Sequence, residues 1–338
     1  MDSSLVSADL VPMFVDELRL CNIQPNETVL IFTDPAFPHP IYPPTAFAAA
    51  RLLGARPYIL TAGSDDDIAS QLCRSAWANA SMILGMSTLP RGIGSWMYTS
   101  TSDDALAAGA RILMVQEPVD VLRRMKPDPV VRARTLAGAE RMEVASEIRV
   151  TSRAGSDFTM RKQGRPAHAQ WGLADVPGRW DHWPSGMVSC APLEDSAEGR
   201  YVIAPGDVLL GQWRYATTEV VLTLHEGRVT KIEGGLDARL MEEHLRSYDD
   251  PDAFRFSHAG WGTDHRADWR SIGMDSESFL GCVMVSLGRN VFTAPAPYCG
   301  LAGANASRSH YDICCRNASL WLDGELIVDD GRLLVPAE

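Results

Sequence analysis

The chain has 338 residues, of which 46% are hydrophobic and 22% charged, and a formal net charge of −12. That balance describes a globular protein of about two domains, and its acidity argues against nucleic acid or an anionic membrane surface as a partner. No run of 18 apolar residues occurs, and the opening Met-Asp-Ser-Ser-Leu lacks a basic stretch before an apolar one, so neither a membrane span nor a secretory signal is expected.

Leu5, Leu10, Val11, Phe14 and Leu18 recur at helical spacing and predict an amphipathic helix over 3–21. Glu27–Thr33 reads as a short buried strand, and Asp34–Pro44 is too proline-rich to be regular. An alanine-rich helix follows from Thr45, with Gly54 as its stop, then a strand at Pro57–Leu60. Ser81–Met86 and Arg111–Gln116 are further buried strands, with a helix at Asp103–Gly109 between them. Strands alternating with helices indicate a parallel sheet, so residues 1–146 are expected to form an open α/β domain. No dinucleotide or P-loop glycine pattern occurs, and Arg91-Gly-Ile-Gly94 reads as a surface turn.

Met125-Lys-Pro-Asp-Pro129 breaks the chain before a helix at Val130–Ala145. From 147 the character changes to short β-like runs at 148–152, 200–203, 208–210, 220–224, 229–232 and 282–287, separated by turn signals such as Pro205-Gly-Asp207 and Gly234-Gly235. One helix, Asp237–Tyr248, interrupts them, and Asp323-Gly324 marks a hairpin between 317 and 328. Residues 147–338 are therefore expected to be a mainly antiparallel β domain, making the whole chain α/β plus α+β. The seven cysteines are scattered without a Cys-x-x-Cys, which fits reduced thiols in a cytoplasmic protein.

The candidate chemistry centres on histidines. In Ser309-His-Tyr-Asp-Ile-Cys-Cys-Arg-Asn317, a strand would put His310 and Asp312 on one face, with Cα atoms about 6.6 Å apart. One more histidine would complete a two-histidine, one-carboxylate metal triad; a simple hydrogen bond between the two is the alternative. His258, in Ser257-His-Ala-Gly-Trp-Gly262, has small residues after it and Phe254 and Phe256 before it, which suits a fixed, partly desolvated ligand. His182 lies between Trp180 and Trp183 in Pro177–Gly186, a segment read as a rigid loop with aromatic walls. A histidine there can exchange a proton with an aromatic ligand or serve packing alone. His265 has the polar surroundings of a solvated loop. Arg316 and Ser286 are lesser candidates near the same strands.

Gly155-Ser-Asp-Phe158, Pro177–Gly186, Asp195-Ser-Ala-Glu-Gly199, Ser257–Gly262, Gly273-Met-Asp275 and His310-Tyr-Asp-Ile through Arg316-Asn317 together resemble the 2,5-dihydroxypyridine 5,6-dioxygenase family. This family consists of Fe(II) ring-cleaving enzymes of nicotinate degradation, related in fold to metal-dependent aminopeptidases. The resemblance covers nearly the whole chain and is strongest from about residue 150 onward. It implies that His258, His310 and Asp312 bind Fe(II), that His182 lines the substrate pocket and that the chain forms a homo-oligomer, expected to be a hexamer. A family histidine in the N-terminal domain aligns with Tyr98, in Trp96-Met-Tyr-Thr99. A phenol, with an ordinary pKa of about 10 against about 6.5 for imidazole, is a poor base at neutral pH.

The implied activity is extradiol-type cleavage of 2,5-dihydroxypyridine or a related hydroxylated ring by O₂, giving an N-formylmaleamate-type product. The alternative is an aminopeptidase-like hydrolase, whose two-metal chemistry would call for more carboxylates than cluster near His258 and His310. A metal-free binding protein is the third reading.

Overall fold

The computed structural model describes residues 3–89 and 99–336. The chain forms two compact units. One comprises the chain up to Pro127 together with Gly172–Pro184 and Ala294–Cys299; the other comprises Asp128–Trp171, Ser185–Thr293 and the chain from Gly300.

The first unit is built on a five-stranded, wholly parallel sheet. Its spatial order is Arg56–Thr61, Thr28–Thr33, Met82–Met86, Arg111–Met114 and Trp180–His182. The central strands are continuous apolar runs because helices cover such a sheet. The helix expected from Thr45 starts earlier, at Tyr42, with Pro43 and Pro44 in its first turn. Proline is tolerated there because the first-turn N–H groups have no intrahelical acceptor. Gln71–Ala78 is a further helix, which its mixed sequence did not announce.

The second unit contains two antiparallel sheets. The larger orders Arg228–Gly234, Val220–His225, Glu198–Ile203, Asp157–Arg161, Glu147–Ser152, Ala318–Leu322, Glu325–Asp329 and Arg332–Leu333. The other orders Arg214–Tyr215, Val208–Leu209, His310–Cys315, Val283–Gly288, Phe256–Gly262, Met187–Cys190 and His168–Gln170. The α/β plus antiparallel β class expected from sequence is the class observed.

The hairpin at Asp323-Gly324 forms as expected, with both residues in the left-handed region at φ 47° and 87°. However, the strand carrying His310 does not run on into it. His310–Cys315 belongs to the seven-stranded sheet and Ala318–Leu322 to the eight-stranded one, so the chain changes sheets at Arg316-Asn317. This removes Arg316 from the His310 and Asp312 face. Its guanidinium lies 5.3 Å from the centre of the Phe279 ring.

Candidate metal centre

Three adjacent strands of the seven-stranded sheet build the centre. Asp312 pairs with Ser286, and Ser286 pairs with His258, so the three side chains form one row across one face. His310, two residues from Asp312, shares that face one rung along, opposite Gly288. Gly288 sits at φ 90°, where an L side chain would be strained and an added Cβ would lie 2.2 Å from the Ser309 carbonyl oxygen.

The placement of His258 depends on a β-bulge. Phe256 pairs with Leu287, but His258 pairs with Ser286, so Ser257 is an extra residue on its strand. Without it His258 would oppose Val285 and face the other side of the sheet, since a one-residue slip inverts every side chain. The bulge is held in place: the Ser257 hydroxyl donates to the Arg289 carbonyl at 2.7 Å, and the Asn290 amide donates to the Ser257 carbonyl at 3.1 Å.

The donor atoms converge. His258 Nε2 and His310 Nε2 are 3.4 Å apart. Asp312 Oδ1 is 3.4 Å from His258 Nε2, and Oδ2 is 3.3 Å from His310 Nε2. Ions with bonds of about 2.0–2.2 Å, at tetrahedral to octahedral angles, separate their donors by about 2.8–3.6 Å. These spacings, which involve both carboxylate oxygens, therefore suit a single metal ion. The three residues also stand out as a His/Asp/Cys/Glu cluster of metal-binding dimensions among the described residues.

The second nitrogens fix the rings. His310 Nδ1 lies 2.8 Å from the Arg289 carbonyl and can only donate to it, which leaves Nε2 as a lone pair facing the cluster. His258 Nδ1 is buried with no protein partner. The His310 lone pair and the Asp312 carboxylate, facing one another, repel unless a cation, metal or proton, lies between them. The electrostatics agree. Burial pulls the His258 imidazole below its ordinary pKa, partly offset by Asp312. Burial opposes charge on His310 as well, but the Asp312 carboxylate outweighs it and raises that pKa. Asp312 would be pushed up by burial, yet the two imidazoles hold it well below the usual carboxylate range.

On the same face, one rung beyond the Ser286–Asp312 pair, are Met284 and Cys314. They belong to a buried apolar cluster with Met187, Val208, Trp269, Met274 and Cys282. That wall keeps one side of the centre dry.

The other candidates are placed as follows. His182 belongs to the first unit and lies in a short strand, pairing with Met114 at the carboxyl end of the parallel sheet, rather than in a loop. Its backbone N–H donates to Asp181, itself fully buried and paired to Arg179 at 2.9 Å. Tyr98 and the Arg91–Gly94 turn lie outside the described residues. His265 is exposed. Ser286, a minor candidate from sequence, is fully buried and donates its hydroxyl to Asp312 Oδ1. The Arg289 carbonyl and Ser257 were missed, because a backbone acceptor and a bulge leave no mark in residue identity.

Comparison with known proteins follows the same line. The profile of the 2,5-dihydroxypyridine 5,6-dioxygenase family matches residues 9–335. A 2,5-dihydroxypyridine 5,6-dioxygenase from Pseudomonas putida KT2440 is 35% identical over 251 residues, covering 72% of this chain and 69% of that protein. The solved structure of 2,5-dihydroxypyridine dioxygenase from Pseudomonas putida KT2440 superposes with a TM-score of 0.86 at 29% identity, over 98% of each chain. Wild-type AmpT from Thermus thermophilus superposes at 0.65 with 13% identity, over 97% of this chain and 99% of its own, a likeness of fold alone. No helix among the described residues is long and apolar enough to cross a membrane.

Proposed function

The chain belongs to the 2,5-dihydroxypyridine 5,6-dioxygenase family, and from that premise we propose that it is an Fe(II)-dependent enzyme opening 2,5-dihydroxypyridine, or a closely related hydroxylated N-heterocycle, with O₂. The observation that carries the proposal is the convergence of His258, His310 and Asp312 on one sheet face, their nitrogen and oxygen atoms 3.3–3.4 Å from one another across residues. Both atoms of O₂ enter an N-formylmaleamate-type product, so the reaction needs no further reductant.

Two neutral imidazoles and one carboxylate hold the ion and leave it a net positive charge. Fe(II) in such a three-ligand site supplies open positions where an electron-rich ring and O₂ are brought together. The chain's own residues do the rest. The Arg289 carbonyl keeps His310 in the tautomer that presents Nε2. The Met284 and Cys314 side excludes water, which strengthens the electrostatics at the centre. His182 is proposed to take the ring hydroxyl proton and Tyr98 to hydrogen-bond a substrate oxygen. A homo-oligomer, a hexamer by family resemblance, and a cytoplasmic location belong to the same proposal; the latter draws support from seven buried cysteines that are all unpaired.

The test is oxygen consumption with 2,5-dihydroxypyridine, using protein stripped of metal and reloaded anaerobically with Fe(II), with a zinc-loaded control. Stoichiometric O₂ uptake and loss of the ring absorbance in the iron form alone is the expected result. Iron binding without uptake would point to a different hydroxylated ring, and Tyr98→His is then the variant to assay. Peptide hydrolysis by the zinc form would instead support the aminopeptidase-like alternative, which shares the fold.

A further inference from the structure

Glu17 is a carboxyl buried without a counter-charge. The inward stripe of the Ser3–Leu20 helix and the residue after it runs Leu10, Met13, Phe14, Glu17, Leu18 and Cys21, all buried and all but Glu17 apolar. Glu17 Oε1 accepts the Cys21 thiol at 3.8 Å; Oε2 has no hydrogen-bond partner, and no cation among the described residues pairs with the group. Such a carboxyl is kept neutral, because a charge there would go unsolvated. Burial first, and the Asp181 carboxylate second, raise its pKa well above the usual range, with Cys21 opposing them. Since Oε1 is taken by the thiol, the proton sits on Oε2, as a donor with no acceptor. A buried donor left unpaired costs stability, which a leucine in the same stripe would not.

Glu17 also lines a cavity of about 350 Å³ in the first unit, a volume within the range of small-molecule sites. Met13, Leu20, Pro127 and Trp183 make its apolar walls. Asp16 and Arg19, on the same cavity, pair with each other at 3.0 Å and cancel in charge. We infer that this cavity is a second binding site, for a small, flat, uncharged molecule whose carbonyl oxygen accepts the Glu17 O–H while its ring lies among Met13, Leu20 and Trp183. The Glu17 oxygen is shielded in the free protein, so the carboxyl turns about its terminal bond, a soft torsion, to meet the ligand. A carbonyl brings no charge with it, whereas an anion or an ammonium would carry one in among apolar side chains. His182 does not line this cavity, and His258, His310 and Asp312 belong to the second unit, so the inference is independent of the proposed activity.

The test is a titration of the full-length protein at neutral pH with benzamide, followed by saturation-transfer NMR on the ligand, with benzoate and benzylamine as charged molecules of the same ring. Benzamide is expected to bind at least about 10-fold more tightly than either. Glu17→Leu should weaken benzamide binding by about 10-fold or more, the loss of one hydrogen bond in an apolar site. Glu17→Gln, whose amide N–H replaces the O–H, should recover most of it. Glu17→Leu should also unfold at a higher urea concentration than the wild type, because it removes the unpaired donor; a lower midpoint would make Glu17 a brace and overturn the inference. Equal benzamide affinity in wild type and Glu17→Leu would overturn it too. Tightest binding of benzylamine would make the carboxyl a counter-ion, and tightest binding of benzoate would assign recognition to Lys126, which also lines the cavity; either result rejects the uncharged ligand. No benzamide binding by the wild type would overturn the inference outright.

Discussion

Two carboxylates in the second unit, Asp237 fully buried and Asp312 nearly so, show how a proposed cation site differs from a carboxylate whose charge the protein itself satisfies. Asp237 lies in the first turn of the Leu236–Arg246 helix. Its Oδ2 accepts the backbone N–H groups of Thr217 and Thr218 at 2.6 Å each and both threonine hydroxyls at 3.0 Å, while Arg214 approaches Oδ1 at 2.5 Å. Every neighbour is a donor or a cation, so the charge is satisfied by the protein. Asp312 receives one donor, Ser286, and otherwise faces two imidazole nitrogens, of which that of His310 is fixed as an acceptor. The first carboxylate braces the fold; the second is the one proposed to hold a metal ion. Burial and depressed pKa are common to both, so neither property alone marks function. The complement of donors does.

The largest effect that would break this comparison is on activity. Replacing His258, His310 or Asp312 by alanine should each lower Fe(II)-dependent oxygen uptake by more than about 100-fold, beyond the usual loss for a residue that only supports a ligand. Full uptake by His258→Ala, assayed after iron reloading, would remove that residue from the ligand set. The Asp237→Asn variant should behave oppositely, with uptake per folded molecule unchanged but unfolding free energy reduced by about 2–4 kcal/mol, since it loses a charge from among buried donors. Urea denaturation measures this, and an undiminished midpoint would show that Asp237 is no brace.

A smaller, sharper measurement uses metal as a ligand of the folded state. At a free Co(II) concentration about 100 times its Kd, the wild type should gain about 2.7 kcal/mol of stability by mass action. Asp237→Asn should show the same increment on its lower baseline, and Asp312→Ala should show none at that concentration. Equal increments in all three proteins would mean that the ion binds elsewhere.

The sequence made part of this legible and hid the rest for identifiable reasons. The His310-x-Asp312 spacing carries the period of a strand, so their common face could be read directly. The alternating and continuous apolar runs indicated the sheet classes, and Asp323-Gly324 marked its hairpin. His258 was suspected from its small neighbours, but its strand, Phe256–Gly262, contains two glycines and a bulge and so lacks a strand's signature. Gly260 explains one of them: an added Cβ would lie 1.9 Å from the Val188 carbonyl oxygen, so the strands approach too closely for a side chain. The change of sheet after Cys315 and the return of Trp180–His182 to the parallel sheet are set by partners far away in the chain. No local pattern encodes them.

The smallest expected effect is on the pH dependence of stability, and it isolates the brace. Burial alone would raise the Asp237 pKa, but the Thr218 and Thr217 N–H groups and Arg214 outweigh it and hold it well below the usual carboxylate range. In the unfolded chain an aspartate titrates near about 3.9. The folded value is the lower one, so the contribution of Asp237 is fully present above about pH 4–5 and declines as pH falls toward the folded value, where the unfolded state binds the extra proton. The amide introduced by Asp237→Asn cannot titrate. The difference in unfolding free energy between wild type and this variant should therefore be constant from about pH 7 to 5 and shrink below about pH 4. Asp34, Asp250 and Asp252 also have lowered values and add to the acid sensitivity of both proteins; subtracting the variant removes them. A difference that stays flat down to about pH 3 would mean that the folded and unfolded values of Asp237 coincide. The four threonine donors would then be no better for the charge than water, and the contrast with Asp312 would have to rest on geometry alone.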